Sequence, residues 1–155
     1  MGFSFRNWIN NRLIFPLFSL LRKGSSPRRL AIAISLGIVL GLFPIPGSTT
    51  GLCLLVAFLG NYNVAVMQLL NYAVYPLQLL LIIPLMALGS SIFDLEMELF
   101  SVTAMVDLFR DDFWLALEKL WKFQFAGIIA WIIFIFPLYF PLYHAAKVVV
   151  RKVST

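Results

Sequence analysis

The stretch LAIAISLGIVLGLFPIPGSTTGLCLLVAFL, residues 30–59, decides the fold. It contains no Asp, Glu, Lys or Arg and is cut near its middle by Pro44-Ile45-Pro46-Gly47. Leu30 to Phe43 is 14 residues, about 21 Å of helix, which is too short for a hydrocarbon core of roughly 30 Å. At the cut, two prolines withhold backbone donors and push the residues before them out of the helical region. Ser48, Thr49 and Thr50 follow with hydroxyls suited to N-capping and open a second short helix, Ser48 to Leu59. Two half-length helices around a Pro-Gly break read as a re-entrant hairpin or as a discontinuous span. Such irregular backbone is tolerated in a membrane only where protein buries it or a watery cavity receives it.

Working outward, the charge-free region extends over 64 residues, Leu30 to Phe93, and a second one of 24 residues runs from Phe123 to Ala146. The whole chain of 155 residues is 61% hydrophobic and 12% charged, against ~45–50% and ~25% in a soluble domain. That excludes an ordinary soluble domain. High hydrophobicity excludes a disordered tail, and a single Cys excludes a disulfide scaffold. Cys53 reads as a small packing residue.

The charges lie in blocks. Arg6, Arg12, Arg22, Lys23, Arg28 and Arg29 precede Leu30 without an acid among them, and all seven acids fall between Asp94 and Glu118. Lys147, Arg151 and Lys152 close the chain. The excess of Lys and Arg at both ends places both termini in the cytoplasm, with the segment from Asp94 to Lys122 outside and an even number of crossings. The net charge of +5 is explained by attraction to anionic headgroups. No nucleic-acid-binding signature accompanies it, so nucleic acid is not an expected partner. Leu13 to Leu21 is too short and wrongly flanked for a cleavable signal, and Phe3 to Leu21 has the composition of an interfacial helix.

Val64 to Phe93, with Pro76 and Pro84, is either one kinked span or a second hairpin. On a helix, Gln68, Asn71, Tyr72, Tyr75 and Gln78 form a polar stripe, which serves either interhelical hydrogen bonding or the lining of a cavity. Ala33, Gly37 and Gly41 put small side chains on one face for close helix contact. Glu98 to Gln124 reads as an amphipathic surface helix. Trp114, Trp121 and Trp131 suit an interfacial belt, and Phe123 to Ala146 is a span bent at Pro137 and Pro141. The expected fold is therefore an all-α polytopic integral membrane protein with Pro/Gly-broken helices and interfacial amphipathic helices. Its parts are a basic segment 1–29, a broken-helix core 30–93, a surface helix 94–122, a transmembrane helix 123–146 and a basic tail 147–155.

Nothing in the chain has the spacing of a nucleophile with its base, a metal cluster or a phosphate loop, so neither an enzyme nor a cofactor is expected. His144 is the only His and cannot build a zinc site alone. A half-helix starting at Ser48 would aim free N–H groups and its positive dipole end at the break, which suits a phosphate or carboxylate. The candidate ligand site is accordingly Pro44, Pro46, Gly47, Ser48, Thr49 and Thr50, with Gln68, Asn71 and Tyr75 as polar lining. Two functions compete. One is a non-enzymatic protein that handles a lipid phosphate or small anion, with membrane lipids as partners. The other is an accessory or assembly subunit docked to a membrane-protein partner or to further copies of itself.

Pro27-Arg28, Ala31, Gly37, Gly41, Pro44, Gly47, Asn63, Pro76 and Gly89 give the chain a further reading. With this basic, Pro-containing lead-in, spaced glycines and Pro-x-x-Gly break, it resembles the domain-of-unknown-function family 2062, bacterial membrane proteins, over roughly residues 25 to 93. An Asn-Pro pair expected from that pattern is Tyr75-Pro76 here, with Asn71 earlier. The resemblance implies work on envelope lipids or lipid-linked sugars, because some relatives are joined to glycosyltransferase domains.

Overall fold

The computed structural model describes residues 26–95 and 102–154, and all regular structure there is helical. The expected interfacial helix Phe3 to Leu21 lies outside the described residues. Helix α1 spans Pro27–Gly41. It starts three residues before Leu30 because Ser26 Oγ accepts from the Arg29 N–H at 3.4 Å and Pro27 occupies the first helical position, a standard opening pair. It stops short of Phe43 because Pro44 excludes the helical region for the residue before it. The last N–H groups tighten instead, Leu42 to the Val39 carbonyl at 3.3 Å and Phe43 to Leu40 at 3.1 Å.

Helix α2 spans Ser48–Gly60 and α3 spans Val64–Ala73. The turn Asn61-Tyr62-Asn63 does two jobs. Asn61, at φ +50°, ends α2 in the left-handed conformation that Asn tolerates, and Asn63 Oδ1 accepts from the Val66 N–H at 3.1 Å to start α3. Helix α4 is Tyr75–Ile92, joined to α3 through Val74 alone. Helical bonds continue across that joint, Val74 N to Leu70 O at 3.0 Å and Gln78 N to Val74 O at 2.9 Å. Residues 64–92 are therefore one helix kinked before Pro76, and not a second hairpin.

Helix α5 covers Val102–Asp111 and α6 covers Phe113–Ala130. The sequence placed a boundary between residues 122 and 123, but α6 runs through it. The stop falls earlier, where the Asp112 carboxylate accepts from Trp114 N at 3.1 Å and Leu115 N at 3.0 Å and so begins a new helix. Beyond α6 the backbone continues through a π-helical turn at Trp131–Ile135 and a 3-10 turn at Phe136–Leu138 into α7, Tyr139–Ser154. The bend expected from Pro137 and Pro141 takes this form because each proline lacks the N–H that would keep the α register.

Close packing is set by small residues. Helix α1 lies on α3 and α7, and α4 lies on α6. A Cβ at Gly41 would stand 2.6 Å from Val74 Cγ2 and 3.0 Å from Asn71 Cα, so the small-residue face expected on α1 is its contact with α3. Gly89 of α4 sits against the Ala126 carbonyl of α6 in the same way. The core includes Leu30, Val39, Cys53, Met67 and Trp131; Cys53 is fully buried, as its apolar setting predicts. Two helices are long and apolar enough to cross a membrane, Tyr75–Ile92 and the 40-residue run Phe113–Lys152. Only 22% and 28% of their most apolar stretches are buried, whereas the core helix of a water-soluble protein is mostly buried.

Candidate functional site

The break at Phe43–Gly47 is where the distant elements meet. Gln78 Nε2 of α4 donates to the Phe43 carbonyl at 2.7 Å, and Gln124 Nε2 of α6 donates to the Pro44 carbonyl at 3.1 Å. One turn further back, Trp131 Nε1 donates to the Val39 carbonyl at 3.3 Å, while its ring meets Phe43 edge-on at 5.2 Å. A helix C-terminus leaves carbonyls without intrahelical donors, and burying them unpaired is costly. Here side chains from α4 and α6 supply donors to the two carbonyls of the break, and Trp131 adds a second donor to the Val39 carbonyl beside Leu42 N–H, so the C-terminal lip of the break is sealed by protein.

The N-terminal lip differs. Gly47 is the N-cap of α2, with φ +82° and no side-chain cap. That left-handed backbone costs a non-glycine residue about 1–2 kcal/mol. Gly47, Ser48 and Gly51 are exposed, and a Cβ at Gly47 or Gly51 would meet nothing within 4 Å. The hydroxyls expected to cap α2 do not. Ser48 Oγ donates backward to the Ile45 carbonyl at 2.8 Å, and Thr49 is buried with only 3% exposure. The reason is positional: Gly47 takes the cap site itself, which places Ser48 and Thr49 inside the first turn.

The polar stripe divides. Gln68 Nε2 donates to the Thr50 carbonyl at 3.0 Å and Gln68 Oε1 accepts from Asn71 Nδ2 at 3.2 Å, tying α3 to the first turn of α2. The Tyr72 and Thr50 hydroxyls stand 3.5 Å apart. Tyr75 remains at the surface, 41% exposed, outside this network. Pro44 is buried and Pro46 exposed. Asn71 and Gln78 are each 1% exposed, and Asn71 Oδ1 and Gln78 Oε1 have no hydrogen-bond partner. Both are acceptors, so the sealed side of the break has spare lone pairs, while the first turn of α2 has no side-chain cap and its Ser48 N–H donates to the Ile45 carbonyl at 3.3 Å. Only the open side suits an anion.

Two residues of this arrangement escaped the sequence reading. Gln124 looked like the tail of a surface helix, although a lone amide in Phe123-Gln124-Phe125 must find a partner once buried. Trp131, expected at an interface, is a core residue with 6% exposure. Trp114 and Trp121 are exposed. Arg28 and Arg29 stand at the far end of α1, about 20 Å from its C-terminus, so they add no charge at the break. His144 is exposed and its Nδ1 donates to the Phe140 carbonyl at 2.8 Å. Among the described residues no cluster of His, Cys, Asp or Glu has the composition to hold a metal.

These features define an all-helical protein in which two half-length helices are pinned at a proline break by amides from later helices. The chain belongs to a family of uncharacterized proteins conserved in bacteria, DUF2062, whose family model matches residues 8–155. The match takes in α5, α6 and α7 as well as the broken core, beyond the part that carried the resemblance in sequence. No curated protein and no solved structure matches the chain.

Proposed function

We propose that the chain is a polytopic protein of the bacterial inner membrane that binds or moves a lipid phosphate or small anion without catalysing a reaction, in envelope lipid or glycan metabolism. The anion is taken at the first turn of α2. The observation that carries this reading is the uncapped, exposed start of α2 in a region without a charged side chain. Ser48 N–H donates to the Ile45 carbonyl at 3.3 Å, the next first-turn N–H groups have no side-chain cap, and the helix dipole favours a negative acceptor for them. In this reading α1 and α2, about 22 and 20 Å long at 15 and 13 residues, form a re-entrant hairpin. Residues 64–92 and the run 113–152 make the two crossings, and both termini face the cytoplasm in keeping with Lys and Arg at each end.

Cysteine labelling tests it. With Cys53→Ala as background, Ser48→Cys is labelled by a membrane-impermeant maleimide from each side of the membrane, with and without inorganic phosphate or a short-chain phosphatidic acid. Labelling from one side, slowed by one of the two anions, is the expected result. Protection from both sides, or a rate that neither anion changes, rejects the site. The accessory-subunit reading is favoured by a different observation. Helix α2 exposes Leu55, Phe58 and Leu59, at 56%, 70% and 78%, on a helix too short to cross a bilayer, a face that a protein partner would cover. A partner held at fixed stoichiometry through mild-detergent extraction would support that alternative.

A further inference from the structure

A groove of about 490 Å³ runs between α1, α3 and α7. Leu30, Ile34 and Ile38 line it from α1, Leu70 from α3, and Ala145 and Val149 from α7. The α1 stripe alone extends about 12 Å. Its volume is that of a small-molecule site, ~300–1,000 Å³, but its walls are aliphatic and give no donor or acceptor to orient a polar ligand. Such a groove suits a flexible apolar chain.

The charge at one end of the groove identifies what that chain belongs to. Arg28 and Arg29 are exposed in the first turn of α1, immediately before Leu30. Glu118 on α6 pairs with Lys122, and neither arginine has an acidic partner among the described residues. The acids among the described residues sit at Asp94, on α5, at Asp112 and on α6, none of them on α1, α3 or α7. A second copy of the chain lying parallel in the same bilayer would therefore bring arginine against arginine at this face. An amphiphile with one apolar length and one anionic end meets both requirements.

We infer that this groove holds an acyl chain of an anionic phospholipid whose phosphate is bound by Arg28 and Arg29. This rests on the membrane placement proposed above and is independent of the anion site at α2. The groove supplies apolar contact along the chain, and the guanidiniums supply paired hydrogen bonds to the phosphate oxygens. The binding therefore selects for headgroup charge.

The test is native mass spectrometry of the full chain released from detergent micelles containing equal phosphatidylglycerol and phosphatidylcholine with identical acyl chains. The wild-type chain should retain phosphatidylglycerol in preference. The double variant Arg28→Gln/Arg29→Gln should lower the retained ratio by roughly five- to twenty-fold, since each arginine near an anionic surface is worth about fivefold. Ala145→Trp, at an exposed position, should reduce retention of both lipids, with helicity by circular dichroism reporting that it folds. Equal retention of the two lipids by the wild-type chain overturns the inference, whether the chain's own residues 1–25, a second copy or nothing fills the groove. Unchanged retention by a folded Ala145→Trp also overturns it. The arginine pair, on the surface, keeps the test decisive if Ala145→Trp does not fold. A chain missing from the membrane fraction would refute the shared membrane placement. A membrane-bound chain without headgroup preference would refute only this inference.

Discussion

The two lips of the proline break are built by opposite means. The C-terminal end of α1 is closed by Gln78, Gln124 and Trp131, each reaching from a different later segment to a carbonyl at or just beyond the end of the interrupted helix. The N-terminal end of α2, a few residues away, has a glycine cap, no side-chain acceptor and open space around it. Both ends have the same number of orphaned backbone groups to satisfy. Side chains from 35 to 92 residues away in sequence donate to the carbonyls at one end, whereas Gln68 and Tyr72 meet the first turn of α2 only at the Thr50 carbonyl and hydroxyl, and this separates what the fold needs from what it leaves available. The sealed lip is structural, and the open lip is where the ligand is proposed to bind.

The largest test of this contrast is at the seal. Trp131→Ala removes a buried ring, its edge-on contact with Phe43 and the donor to Val39. It should cost about 3–5 kcal/mol in reversible unfolding. Trp131→Phe should recover most of that and leave the loss of one hydrogen bond, about 1 kcal/mol. Equal losses from the two variants would mean that the indole N–H is the main contribution and the ring packing incidental.

The two glutamines sharpen the comparison, because bond length and burial rank them one way and acceptor bookkeeping the other. Gln78 makes the shorter bond and is the more buried. Gln78→Leu, however, removes the unpartnered Oε1 while it leaves the Phe43 carbonyl without a donor, so one unsatisfied acceptor replaces another. Gln124→Leu only creates one, at a Pro44 that is fully buried. We expect Gln124→Leu to cost about 1–3 kcal/mol and Gln78→Leu less than about 1 kcal/mol. The reverse order in denaturant titrations would show that the spare oxygen of Gln78 is satisfied in solution.

At the open lip the effects move from stability to binding. Gly47→Ala must hold a Cβ at φ +82° and should lose about 1–2 kcal/mol, although no atom blocks the added methyl. Gly47→Asp pays a smaller backbone cost, since Asp visits this region more readily. It also places a carboxylate where the proposed anion would bind. Its stability should fall within about 1 kcal/mol of the native chain, with any phosphate-dependent rise in melting temperature abolished. A phosphate response that survives Gly47→Asp would move the anion away from α2.

The same contrast explains what the sequence disclosed. Pro44-Ile45-Pro46-Gly47 announced the break and Asn61-Tyr62-Asn63 the turn, because proline and the Asx side chains act within a few residues of themselves. Gly37 and Gly41 announced a close contact but not with which helix. The sealing residues were illegible for the same reason: Gln124 and Trp131 act across 80 and 92 residues, and local pattern assigned both to a membrane surface. The cap of α2 was misread by one position, since Ser, Thr and Gly are all acceptable caps and only backbone conformation chooses Gly47. Amide direction along α3 and α4 was equally hidden, because a polar stripe shows that partners exist without saying which side of the break they serve.

The smallest expected effect concerns the most conspicuous charge interaction. Lys122 Nζ lies 2.7 Å from Glu118 Oε1, an i,i+4 pair on α6 with both side chains more than half exposed. It sits only two residues before Gln124, so a reading by proximity would make it part of the seal. Solvent screening and the entropy of holding two long side chains cancel most of such a pair's attraction. Lys122→Ala should therefore leave the melting temperature of the detergent-solubilised chain unresolved from native, even at low salt, while Gln124→Leu, two residues on, lowers it. If Lys122→Ala were the more destabilising, the position of α6 would depend on its surface charge rather than on the amide that enters the break. The contrast between a sealed and an open lip would then lose its structural half.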